Sequence, residues 1–98
     1  MTLRKIQSKF AQMVGLLITH IYLKGYECTL GDASRIDRRG HCTNSKHYTR
    51  RAIDINLFLD GVYLTSTESH AIFGEYWESL GGTWGGRFKN PDGNHYQY

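Results

Sequence analysis

Leu3, Ile6, Phe10, Met13, Val14, Leu17 and Ile21 recur at intervals of three and four residues, the spacing that gathers apolar side chains on one side of a helix. Gly25 ends that helix, and the stripe, Met13 included, reads as core packing and not as a cofactor box; His20 on the same segment is read the same way. Tyr26 to Leu30 alternate and are rich in strand formers, which predicts a short strand stopping at Gly31. Asp32 to Arg50 is polar and irregular and is crowded with side chains that ligate or donate, the character of a loop that carries a site. At Ala52 the period becomes two: Ile53, Ile55, Leu57 and Leu59 share one face, and Asp54, Asn56 and Phe58 share the other. Asp54 therefore projects away from the core, into a cleft. Asp60-Gly61 signals a hairpin turn, with Val62 to Leu64 returning as the partner strand. Thr65 to Glu68, "TSTE", reads as a capping box that opens a second helix; Phe73, Tyr76, Trp77 and Leu80 form its buried stripe, and Gly81-Gly82 closes it. The tail is a Gly-rich loop with a Pro-Asp-Gly turn. In the last strand His95 and Gln97 alternate with Tyr96 and Tyr98.

Length and composition narrow this picture. With 98 residues the chain holds one domain, residues 1–98. A hydrophobic share of 40% and thirteen aromatic residues exclude disorder. The formal charge of +3 suits nucleic acid, an anionic wall polymer or plain solubility equally well. Arg35, Arg38, Arg39, Lys46, Arg50 and Arg51 are clustered without the interleaved aromatics of a base-stacking platform, so no nucleic-acid partner is expected. Cys28 and Cys42 form no C-x-x-C pair and are expected as reduced thiols. The apolar run "MVGLLITHIYL" lacks a signal-peptide cleavage site and the length of a membrane span. A soluble monomer made in the cytoplasm, without membrane insertion, is the expectation.

Three metal-ligand types stand out by context: His47 in the polar loop, Asp54 on the outer face of its strand, and His95 on the last strand. Two imidazoles and one carboxylate leave a fourth position open to water, as catalytic zinc requires. Asp92, three residues before His95, is placed to act as a base. Spacing does not complete the argument: a fully extended chain would separate His47 from Asp54 by ~23 Å at ~3.3 Å per residue, so Tyr48 to Arg51 must turn back for both to meet one ion. On the residues alone, surface or hydrogen-bonded roles for these groups stay open. G-x-S-x-G, S-x-x-K and H-E-x-x-H spacings are absent.

"SKHYTRRAIDINLF" resembles the S-x-H-x-x-x-x-A-x-D segment of the zinc peptidase family that includes the VanY-type D-alanyl-D-alanine carboxypeptidases and the phage L-alanyl-D-glutamate endopeptidases. "WGGRFKNPDGNHYQY" is similar to that family's closing W-G-G and D-x-x-H-(F/Y) segment, and "TLGDASR" to its G-x-x-x-R segment. The three occur in the family's order between Thr29 and Tyr98. Many relatives carry Gly where this chain has Arg50 or Arg51, and the interval from Arg35 to His47 is short. The resemblance implies a hedgehog/DD-peptidase-like α+β fold, a small antiparallel sheet with flanking helices and Zn2+ on its concave face. It implies His47, Asp54 and His95 as the zinc ligands and Asp92 as the general acid and base. Arg35 would steady the oxyanion or a substrate carboxylate, against the plainer role of a surface ion pair. Ser45 would bind substrate or brace its loop, and Trp84 would line the cleft or anchor the core. The implied activity is hydrolysis of the D-amino-acid-containing stem peptide of peptidoglycan, as carboxypeptidase or as endolysin-like endopeptidase, with the bacterial wall as the place of action. Two other classes remain at this level: a non-catalytic wall-binding or virion-structural module that kept the fold, and a small basic nucleic-acid binder.

Overall fold

The computed structural model describes residues 2–31 and 50–98. Helix α1, Leu3–Leu23, starts where the Thr2 hydroxyl accepts the Lys5 backbone N–H at 3.2 Å. It buries Phe10, Met13, Leu17 and Ile21, while Leu3, two turns ahead of Phe10, is half exposed. Helix α2, Ala71–Ser79, buries Phe73 and Trp77. Both helices end alike. Gly25 and Gly81 take φ of 87° and 100°, and the next residue, Tyr26 or Gly82, donates its N–H back to the carbonyl of Ile21 or Trp77 at 3.1 Å, the paired bonds of a Schellman motif.

The start of α2 departs from the expected capping box. Ser66, not Thr65, accepts the backbone N–H of Ser69, and Glu68–His70 form a 3-10 turn before the helix proper begins. The two serine hydroxyls lie 2.6 Å apart, so the hydroxyl one position along closes the turn and Glu68 is left on the surface.

The described residues form strands β1 Glu27–Leu30, β2 Ala52–Leu59, β3 Val62–Leu64, β4 Thr83–Trp84 and β5 His95–Gln97, all but β4 where the alternation predicts them. All pair antiparallel in the order β1-β2-β5-β4, with β3 also on β2. The fold is α+β, as expected. Asp60 and Gly61 both have positive φ, 52° and 78°, the type I′ geometry whose twist suits a two-residue hairpin. Strand β4 is not visible in the sequence, since Gly81-Gly82 and Gly85-Gly86 flank two residues and mask them as loop; only pairing to Tyr96 and Gln97 makes them a strand.

Ile53, Ile55 and Leu57 of β2 join the α1 stripe, Phe73, Trp77, Trp84 and Tyr96 in one core. Trp77 meets Phe10 and Tyr96 edge to face, each at 5.8 Å, and ties both helices to the sheet. The helices thereby cover one face of β2 and leave Asp54, Asn56 and Phe58 on the other.

Candidate active site

Strands β2 and β5 run antiparallel with Asp54 directly opposite His95, so a strict two-residue period sets both side chains on the outer face. His95 Nδ1 lies 3.5 Å from Asp54 Oδ1. Asp92 comes to the same place through the turn that leads into β5: its N–H donates to Gly85 O at 2.9 Å, and His95 N–H donates to Asp92 O at 3.1 Å. One ligand atom from each of Asp54, Asp92 and His95 falls within 4.8 Å of the others. His95 is buried, Asp54 half-buried and Asp92 exposed, a gradient from core to solvent.

Two glycines make this approach possible. A Cβ on Gly85 would collide with the Asp92 carbonyl and with His95 Cβ, and one on Gly31, whose N–H donates to Asp54 O at 2.7 Å, would press against Asp54 Cβ. Trp84 lies behind the site and not along the cleft. It is buried between Gly74 and Gly86, and its indole N–H donates to Gly93 O at 2.8 Å, inside the turn joining Asp92 to His95. Its ring belongs to the core, and its indole N–H holds that turn.

The electrostatics follow from burial and neighbours. Burial opposes charging of His95, but hydrogen bonds to Asp54 and Gln97 and the charges of Asp54 and Asp92 outweigh it, so its pKa is raised. His70, deeper in the fold, is the opposite case: burial alone lowers its pKa to about 4, and its Nδ1 shares a 2.7 Å hydrogen bond with the Tyr96 hydroxyl. Tyr96, the residue after His95, is thus fixed from beneath.

Arg35, Ser45 and His47 lie outside the described residues. Where description resumes, Arg50 has a left-handed φ of 54°, so the chain leaves the extended path immediately ahead of β2, and glycine would occupy this conformation without cost. Arg51 is tied to the C-terminal residue: its Nε donates to Tyr98 O at 2.9 Å. Sequence reasoning passed over Gln97, whose side-chain oxygen is 2.8 Å from His95 Nε2; the signal available was its position two residues from His95 on the same face.

The model of the D-alanyl-D-alanine carboxypeptidase family matches residues 39–98, which carry Asp54, Asp92 and His95 as well as Ser45 and His47. This chain belongs to that peptidase family. No curated protein matches it closely enough to add a named relative. The matched part of the peptidase runs through β2, α2 and β5; α1, β1 and Arg35 precede it. A peptidase domain of the peptidoglycan-acting kind accounts for a carboxylate on the outer face of a core strand. Among the described residues, no helix of this peptidase is long and apolar enough to cross a membrane.

The described donors, two carboxylates and one imidazole, could hold a metal ion. Ligands at ~2.0 to 2.2 Å from a tetrahedral ion stand ~3.3 to 3.6 Å apart, and the 3.5 Å between His95 Nδ1 and Asp54 Oδ1 matches that edge.

Proposed function

We propose that this chain is a zinc-dependent peptidase that hydrolyses peptide bonds of the peptidoglycan stem peptide, as a D-Ala-D-Ala carboxypeptidase or an endolysin-like L-Ala-D-Glu endopeptidase. The observation that carries this reading is the convergence of Asp54, Asp92 and His95 within 4.8 Å in a chain of this peptidase family. His47, Asp54 and His95 would hold the zinc ion. When bound, zinc supplies a Lewis acid that lowers the pKa of a ligated water to ~7 and polarises the substrate carbonyl.

The chain's own residues carry the proton. Asp92, exposed and beside the ligands, takes a proton from the attacking water and returns it to the departing amine nitrogen as the C–N bond breaks. Its exposure suits that task, because a general acid and base must exchange protons with solvent between turnovers. Arg35 pairs with the oxygen that gains negative charge, for which a permanently charged guanidinium is suited. Ser45 would bind substrate or steady His47. No covalent acyl-enzyme is formed, in keeping with the absence of a nucleophile motif. The substrate is a wall peptide reached by a monomer, with no nucleic-acid partner and no membrane insertion.

The test is mass spectrometry of soluble products from purified peptidoglycan incubated with zinc-loaded protein, with Asp92→Ala as control. New fragments that disappear in the control support the peptidase, and their masses distinguish cleavage after L-alanine from release of terminal D-alanine. Silence on several wall types would favour a binding module that kept the fold.

A further inference from the structure

The last strand carries a second polar side chain on the face of His95. We infer that Gln97 is a positioning residue that holds His95 in the tautomer and orientation needed to present Nδ1 to the metal, an inference that rests on the metal site proposed above. Gln97 Oε1 lies 2.8 Å from His95 Nε2. A carboxamide oxygen only accepts, so Nε2 must bear the hydrogen. A neutral imidazole has one N–H, so with Nε2 carrying it Nδ1 is left to bind an ion beside Asp54 Oδ1, 3.5 Å away; without the ion that nitrogen shares its proton with the Asp54 carboxylate.

Gln97 is itself anchored. Its backbone pairs with Ala52 on β2 and Thr83 on β4, and its carbonyl accepts the Trp77 indole N–H at 2.8 Å. A core tryptophan thus fixes the root of the side chain that fixes the ligand. Across β2 the opposing residue is Ala52, which is fully buried. Lone ligands of this type ordinarily have such a partner on the second ring nitrogen, and its loss costs 10- to 100-fold in metal affinity, roughly.

The experiment measures zinc affinity by competition with a chromophoric chelator for the parent, Gln97→Leu and Gln97→Glu, with imidazole 15N spectra of the zinc-loaded proteins. Gln97→Leu keeps the bulk and removes the acceptor; its affinity should fall by about 10- to 100-fold. Gln97→Glu restores an acceptor and should bind about as tightly as the parent. The parent spectrum should show His95 protonated at Nε2 and metal-bound at Nδ1, a signature that a merely structural role for Gln97 would not set. Thermal midpoints of the metal-free proteins identify a variant that fails to fold, and Gln97→Met then replaces Gln97→Leu on the same measure. Unchanged affinity in the folded variant, or zinc on Nε2, overturns the positioning role and leaves the metal site standing. A parent that binds no zinc overturns both.

Discussion

His70 occupies a position where a proton is costly. Its pKa falls from 6.5 to about 4 because burial removes the imidazolium from water. The unfolded chain therefore binds the proton more readily, so this residue's contribution is fully present above pH 6.5 and is lost as pH falls toward 4 and below. The shift corresponds to roughly 3 kcal/mol when complete. Thermal midpoints measured from pH 7 to 4 should fall, and His70→Gln should flatten the slope between 6.5 and 4; an unchanged slope would assign the acid sensitivity elsewhere. Gly85 is constrained differently, by space. Gly85→Ala drives a methyl into the Asp92 carbonyl and His95 Cβ, and should cost about 1 to 3 kcal/mol with zinc affinity falling in parallel, read by denaturant titration and chelator competition. Neither residue could be assigned from the sequence. His70 reads as one more polar residue after "TSTE", and Gly85 as one of several loop glycines, because each owes its importance to a neighbour distant along the chain.

At the level of elements, the site depends on how β5 is held. The turn from Asp92 to His95 is fastened at Gly85 by a backbone hydrogen bond and at Gly93 by the Trp84 indole. Trp84→Phe preserves an aromatic ring in the core but leaves the buried Gly93 carbonyl without that donor, a loss of about 1 to 3 kcal/mol. Urea unfolding should register it, and zinc affinity should drop because Asp92 and His95 flank the loosened carbonyl; full retention of affinity would mean that the turn is held without Trp84. The two helices and strands β1, β2, β3 and β5 were legible because each carries its own period and its own stop signal, such as Gly25, Asp60-Gly61 or Gly81-Gly82. Strand β4 and the Ser66 cap were not. A two-residue strand has no period, and the choice between adjacent hydroxyls rests on a 3-10 turn set by packing.

For the whole molecule, a bound ion that links β2 to β5 must also stabilise the fold, since the unfolded chain does not assemble the site. Zinc at 100-fold over its dissociation constant should add about 2.7 kcal/mol, a rise of roughly ten degrees or more in thermal midpoint for a domain of this size. Chelator should reverse it and His95→Ala should abolish it; equal midpoints with and without zinc would count against the proposed centre. The amino-acid sequence by itself determined the α+β class, the outward face of Asp54 and the family, because periodicity and motif order are properties of neighbouring residues along the chain. Only the tertiary structure decided that Asp54 stands opposite His95, that Asp92 joins them, that Trp84 turns inward and that Gln97 reaches the second imidazole nitrogen. The first is a matter of strand register between segments some forty residues apart, from Asp54 to His95, and the others of turn closure and packing around β5; no local pattern encodes the distance across a sheet.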